Sequence, residues 1–429
     1  MGYGLCNMGK KLNKMRTHKI NLFFLICVML VTISCNNAQS DGSSEKKSDI
    51  KKEVAKEIPV EKIITGAERT GEYLKLLEGK KVGVMGNQTS MIGAVHLVDS
   101  LVAAKINVVK IFSPEHGFRG KADAGESVSN YTDEKTGIQV ISLYGNTKKA
   151  SPADLKDIEL MVFDMQDVGA RFYTYISSLH YMMEACAENN IPMILLDRPN
   201  PNGHYVDGPV LDMKFTSFVG MHPVPIVHGM TIGEYAQMIN GEKWLKNGIQ
   251  CALTVITCEN YDHSKIYELP VKPSPNLPNF RAVNLYPSLC LFEATTLSIG
   301  RGTDMQFQVI GHPLLKGLGD KDFSFTPKSN EGAKTPVLQG KQCFGYDLRT
   351  FPDSSELISE IRIEYLIDIY KAFPSKTKFF LKDNLFEKLA GNDVLRKQII
   401  EGKTAEEIRA TWKDGLEKFK KIREKYLLY

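Results

Sequence analysis

Val108-Val-Lys-Ile-Phe-Ser-Pro-Glu-His-Gly-Phe-Arg-Gly120 is a β-branched and aromatic run that breaks abruptly into a charged, glycine-punctuated turn. Residues 108–112 read as a strand, Pro114 ends the ladder because it has no N–H, and Gly117 frees the backbone for a tight bend. A strand of buried type that ends in polar chemistry points to a parallel α/β sheet, whose loops at the carboxyl ends of strands carry function. Glu115, His116 and Arg119 set a carboxylate, an imidazole and a guanidinium within five residues at one such end.

The flanking sequence repeats the pattern. Residues 81–86, 139–143, 160–164, 192–196 and 253–256 read as further strands, with 225–227 a short one. Residues 94–105, 177–189 and 231–245 read as helices. Strands alternating with helices predict an α/β fold with a mostly parallel sheet covered on both faces. Pro270, Pro273, Pro275 and Pro278 fall within nine residues and mark a rigid connection into a second domain. In the tail, Ile399, Ile400, Ile408, Trp412, Leu416 and Phe419 recur at helical spacing and read as a packing face.

The formal charge is +4, but residues 1–34 carry five basic groups and no acid. The remainder holds 49 basic against 50 acidic residues and no basic stripe interleaved with aromatics, so nucleic acid is not an expected partner. Residues 1–34 read as a lipoprotein signal peptide. A basic start leads into an apolar run over 22–31, too short for a permanent span, and then Thr32-Ile33-Ser34 precedes Cys35. Cys35 is the expected lipidation site, which makes this an exported protein held to a membrane by an N-terminal lipid anchor and facing the periplasm. Residues 35–59 are too polar to bury surface that offsets their ordering entropy, and they read as a flexible tether. Setting aside Cys6, Cys27 and Cys35 leaves five cysteines without CxxC spacing, which reads as core filling.

Five strand ends are expected to open on one edge of the sheet. They carry Asn87-Gln-Thr-Ser90, then residues 113–120 trailed by Asp123, Gly125 and Glu126, then Tyr144-Gly145. The last two are Asp164-Met-Gln-Asp-Val-Gly-Ala-Arg-Phe-Tyr-Thr-Tyr175 and Asp197-Arg-Pro-Asn-Pro-Asn-Gly203. Such convergence predicts a polar ligand cleft, with Asn87, Gln88, His116, Arg119, Gln166, Arg171, Tyr173, Arg198 and Asn200 as candidate substrate contacts. GxGxxG, GxxxxGK[ST] and GxSxG motifs are absent, so no cofactor is expected, and nine scattered histidines give no metal motif. Carboxylates among amides, arginines and aromatics suit sugar chemistry, in which a carboxylic acid protonates the glycosidic oxygen. Glu115, on a turn that Phe112 and Phe118 can partly desolvate, is the candidate acid near neutral pH. Arg171 or Arg198 suits a substrate with its own carboxylate, through a forked contact.

Ser113-Pro-Glu-His-Gly-Phe-Arg-Gly120, the 164–175 run and Leu196-Asp-Arg-Pro-Asn-Pro201 resemble a bacterial family once known only as a domain of unknown function, DUF1343. That family is now associated with exo-acting β-N-acetylmuramidases, the NamZ-like glycoside hydrolases. Pro273-Ser-Pro-Asn-Leu-Pro278, Glu293-Ala-Thr-Thr-Leu-Ser-Ile-Gly-Arg-Gly-Thr303 and the closing Arg423-Glu-Lys-Tyr-Leu-Leu-Tyr429 continue the resemblance. It implies a Rossmann-like catalytic domain over 60–265, a smaller α+β auxiliary domain over 266–429 and a cleft between them. It further implies release of N-acetylmuramic acid from the non-reducing end of peptidoglycan fragments, with Glu115 at the catalytic glutamate position. Asp164, Asp167 and Glu126 then compete for the second carboxylate role. Arg171, Arg198 or Arg301 is the expected clamp for the lactyl carboxylate, and residues 293–303, with Glu293 and Arg301 as substrate contacts, wall the pocket. The competing reading is a non-catalytic lipoprotein that binds muropeptides or cell-wall sugars.

Overall fold

The computed structural model describes residues 61–115, 117–120, 129–145, 147–320, 322–350 and 357–429. After α1 (Thr70–Leu77) and β1 (Lys81–Gly86), a short hairpin of β2 (Met91–Ile92) and β3 (Val95–His96) leads to α2 (Leu97–Ala103) and β4 (Asn107–Ser113). Then come β5 (Tyr131–Thr132), β6 (Gln139–Ser142), β7 (Leu160–Asp164), α3 (Tyr175–Glu188), β8 (Met193–Leu196), α4 (Ile232–Gly241) and β9 (Leu253–Ile256). These form a seven-stranded sheet in the order β5-β6-β4-β1-β7-β8-β9, parallel throughout except for β5 on β6. The parallel strands grow outward from β1 first to one side and then to the other, the doubly wound order that leaves a switch point beside β1. Every residue of β7 and β8 is buried, which is why both read as unbroken apolar runs rather than alternating ones.

Two local expectations change. The helix expected over 94–105 starts only at Leu97, because Val95 and His96 pair with Ile92 and Met91 and the His96 Nδ1 caps the helix by accepting the Val98 N–H at 3.2 Å. The short strand expected over 225–227 does not join the sheet; Val227 instead bridges Ala170 and Asp207.

The second part of the chain begins with α5 (Phe280–Leu289) and carries its own antiparallel sheet. Its strands are β10 (Val309–His312), β11 (Ser324–Phe325) and β12 (Cys343–Asp347), in the order β10-β12-β11. Helices α6 (Ile363–Ala372), α7 (Leu385–Ala390), α8 (Val394–Glu401), α9 (Ala405–Ala410) and α10 (Lys413–Arg423) follow. Gly391 and Gly402 end α7 and α8 in the left-handed conformation, so the tail is a series of short helices. Ile399, Ile408, Trp412 and Phe419 are buried as their spacing predicts, whereas Ile400 is 54% exposed because adjacent helical positions point about 100° apart. One apolar cluster runs from Met85, Phe112 and Phe163 in the large sheet to Phe292, Phe379 and Trp412, so the two parts share a core. Cys186, Cys251, Cys258, Cys290 and Cys343 are free and buried.

The chain end returns to the large sheet. The Tyr429 hydroxyl donates to Asp197 Oδ2 at 2.7 Å, the Cys258 N–H donates back to that hydroxyl at 2.8 Å, and the Leu428 N–H donates to Glu234 Oε1 at 2.8 Å. Asp197 and Glu234 are both fully buried. Burial pushes the Asp197 carboxyl up to about 6 against the opposing pull of the Thr231 and Tyr429 hydroxyls. Removing residues 427–429 is expected to cost about 3 kcal/mol through two donors lost to buried carboxylates. A carboxyl raised in the folded state stabilises below its unfolded value and loses that contribution as pH rises through about 6. Without Tyr429 the ionised form is still less favoured, so the melting-temperature deficit of the truncated protein should be larger at pH 8 than at pH 4. An equal deficit at both pH values would sever the link to Asp197.

Candidate active site

The turn after β4 delivers Glu115 to a cavity of about 440 Å³, open mouth included. Phe172, Tyr173 and Thr174, with Tyr175 at the start of α3, line it from the β7 side. Ser274, Asn276 and Leu277 come from the proline-rich connection, Tyr286 from α5, and Arg301 and Phe307 from the loop before β10. The cavity therefore combines strand-end loops of the parallel sheet with residues from the second part of the chain.

Hydroxyls hold the Glu115 carboxylate. Tyr144, from the end of β6, donates to Oε1 at 2.9 Å, and Thr174 Oγ1 lies 3.3 Å from Oε2. Burial, then the Glu115 charge, hold the Tyr144 phenol well above its usual range, so it remains a donor. The opposite wall is anchored on one carbonyl. Pro273 O accepts from the Tyr173 hydroxyl at 2.7 Å, the Tyr175 hydroxyl at 3.3 Å and Gln88 Nε2 at 3.1 Å. The proline-rich run is thereby pinned to the loops after β1 and β7. Arg301 donates through Nε to Glu293 Oε1 at 2.8 Å and lies 5.2 Å over the Phe307 ring. Burial disfavours its charge, but the Glu293 carboxylate outweighs that and keeps Arg301 cationic.

Of the residues expected in the cleft from sequence, Glu115, Tyr173 and Arg301 line this cavity, Gln88 packs on its Pro273 wall, and Glu293 holds Arg301. Others are built into the core. Asp164 and Arg198 are 0% and 3% exposed and pair with each other through two contacts of 2.5 and 2.9 Å, so neither is available as a second catalytic carboxylate or a ligand clamp. Arg171 is fully buried and donates to the Pro209, Val224 and Leu389 carbonyls, away from the cavity. Burial lowers it to about 9.

Asp167 accepts the Gly169 N–H at 2.7 Å and lies 3.8 Å from His228 Nε2. Burial raises Asp167 to about 7 and lowers His228 to about 3, so His228 faces Asp167 as a neutral imidazole rather than as an ion-pair partner. Asn87 Oδ1 caps its own turn through Thr89, Gln166 Nε2 donates to the Asp167 and Pro199 carbonyls, and Asn200 Nδ2 donates to Met230 O. The switch point beside β1 is thus filled by the protein's own loops. Ser90 Oγ donates to Asp164 O, and a side chain at Gly86 would come within 2.6 Å of that Oγ. Arg119 pairs with Asp133 at 2.9 Å and Asp99 at 3.3 Å, beside a separate surface depression. His116, Glu126 and Cys35 lie outside the described residues. Among the described residues, no group of three or more His, Cys, Asp or Glu is arranged to hold a metal ion.

Sequence reasoning missed Tyr286 and Phe307, whose approach to residue 115 has no local signal. It passed over Tyr144, Thr174 and Asn276, although each stood inside a quoted strand end or motif.

Comparison with known proteins gives this geometry a class. The family descriptions "Exo-beta-N-acetylmuramidase NamZ, N-terminal" and "C-terminal" match residues 82–281 and 284–429. The chain belongs to that family and is a glycoside hydrolase. It is 39% identical over 382 residues to the peptidoglycan beta-N-acetylmuramidase NamZ of Bacillus subtilis strain 168, covering 83% of this chain and 89% of the relative. Crystal structures of two DUF1343 family proteins from Bacteroides fragilis NCTC 9343 share the fold. One has a TM-score of 0.79 at 48% identity and the other 0.74 at 29%, each covering 86% of this chain and 99% of the neighbour.

Proposed function

We propose that the protein is an exo-acting muramidase that removes N-acetylmuramic acid from the non-reducing end of peptidoglycan fragments, with Glu115 as general acid. The observation that carries this reading is the placement of Glu115 in a polar and aromatic cavity walled by both parts of the chain. Tyr144 donates to Oε1 and Thr174 Oγ1 lies on Oε2, so two hydroxyls hold the acid in the cavity wall. Transfer of the Glu115 proton to the glycosidic oxygen lets the C1–O bond break and the second sugar leave as an alcohol; water adds its hydroxyl to the anomeric carbon, and the proton it releases restores the Glu115 acid by way of solvent. Glu293 fixes the Arg301 guanidinium through Nε and Nη2 on one oxygen, while its Nη1 has no partner among the described residues. That free edge suits the lactyl carboxylate, the group that distinguishes muramic acid from glucosamine. A cavity closed by the second part of the chain suits attack on a terminal sugar.

The deciding experiment incubates the purified protein with N-acetylmuramyl-N-acetylglucosamine oligomers and follows the products by mass spectrometry. Free N-acetylmuramic acid is expected as the first product. Tight binding with no free sugar after long incubation would favour a binding lipoprotein, and internal fragments would rule out exo action.

The N-terminal sequence supports export and lipidation at Cys35. The full-length protein expressed in a bacterial host is expected to partition into Triton X-114 detergent, and Cys35→Ser to move it to the aqueous phase. Aqueous partition of the unsubstituted protein would remove the anchor from the proposal.

A further inference from the structure

We propose that Asn276 reads the N-acetyl group of the terminal sugar, its side-chain oxygen accepting the amide N–H. The site would then select 2-acetamido sugars over isosteres that lack this donor. This rests on the muramidase reading and names a specificity residue within the same cavity.

Asn276 sits in Pro273-Ser-Pro-Asn-Leu-Pro278, where the prolines restrict the backbone. Its N–H approaches Ser274 Oγ at 3.2 Å, and the Leu277 N–H donates to Ser274 O at 3.0 Å, so the turn is locally closed. The side chain is equally fixed. Nδ2 donates to Gly332 O at 2.7 Å. A carbonyl accepts only from a donor, so this contact decides which end of the amide is nitrogen and leaves Oδ1 at the other position. Oδ1 is buried and has no partner among the described residues, while the residue is 1% exposed and lines the same cavity as Glu115.

An unmatched buried acceptor is costly, and native proteins keep few of them without a ligand or a bound water to fill the vacancy. Gly332 belongs to the arrangement, because a Cβ there would lie 3.3 Å from Oδ1 and 3.0 Å from Pro275 Cβ. The absence of a side chain at Gly332 keeps a methyl group from pressing on the acceptor. In a 2-acetamido sugar the amide N–H stands on the carbon next to the anomeric centre. A single pose can therefore present the glycosidic oxygen to Glu115 and the N–H to a second point of the same small cavity. The Tyr173 and Tyr175 hydroxyls on that wall spend their protons on the Pro273 carbonyl, which holds the wall beside Asn276 in place.

The test compares two aryl muramosides that differ in one atom, a 2-acetamido and a 2-O-acetyl compound. Wild type is expected to favour the amide by roughly 10- to 100-fold in kcat/KM. Asn276→Ala should reduce that ratio to within about threefold by slowing the amide alone, whereas Asn276→Asp, which keeps an acceptor, should retain most of it. Gly332→Ala leaves Asn276 in place and covers Oδ1 with a methyl group, so it should shrink the ratio too and provides a second route should N276A fail to fold. Equal turnover of the two substrates by wild type overturns the inference. So does a ratio that survives both N276A and G332A. Hydrolysis of neither substrate by wild type would instead overturn the muramidase reading itself.

Discussion

Glu115→Gln is expected to lower kcat on a muramyl–sugar substrate by roughly 10²- to 10⁴-fold, with KM and melting temperature near wild type. Glutamine has the same shape and still accepts the Tyr144 hydroxyl at the Oε1 position, so the cavity wall need not move. What it lacks is a transferable proton. The loss should depend on the leaving group, because a sugar alkoxide needs protonation while an activated nitrophenolate departs largely unaided. A dinitrophenyl muramoside is therefore expected to lose far less than the natural disaccharide. Tyr144→Phe should follow the same pattern at roughly tenfold, since it removes the donor that holds the Glu115 carboxyl at Oε1. Near wild-type turnover of the disaccharide by the glutamine variant would end the assignment. Equal losses on both substrates would point to a structural role.

The second large effect is on stability. Arg198→Met is expected to cost about 3–5 kcal/mol, because it strands the Asp164 carboxylate, which is fully buried and has Arg198 as its ion-pair partner. The double change Asp164→Asn with Arg198→Met should cost less than the arginine change alone, since the stranded charge is gone. Chemical denaturation of the three variants measures this directly. At temperatures where the single variant remains folded, its KM for muramyl substrates should be close to wild type. A raised KM without lost stability would return Arg198 to the substrate.

The architecture was legible because it depends on local periodicity. β7 and β8 are buried along their whole length, and residues of that kind must form unbroken apolar runs between helices. The antiparallel sheet of the second part was not read strand by strand. Its strand β11 has two residues, and β12 pairs across a gap of more than thirty positions from β10, so register is set by partners far away. At the site, residue type was legible and allegiance was not. Asp164, Arg171, Arg198 and Asn200 are polar residues at strand ends, as ligand contacts would be. They face one another or backbone carbonyls because the switch-point crevice beside β1 is closed by the protein's own loops.

By itself, then, the sequence determined a mostly parallel sheet covered by helices, its family and the strand end that carries Glu115, since each of these is written in contiguous residues. Only the tertiary structure decided which polar groups meet. It paired Asp164 with Arg198 and sank Arg171 among three carbonyls. It brought Tyr144, Asn276 and Arg301 to one cavity wall or carboxylate although Tyr144 lies more than 130 residues from either of the others. The reason is physical. A buried charge or amide is held by whichever partner the packing delivers, and no spacing along the chain encodes that choice.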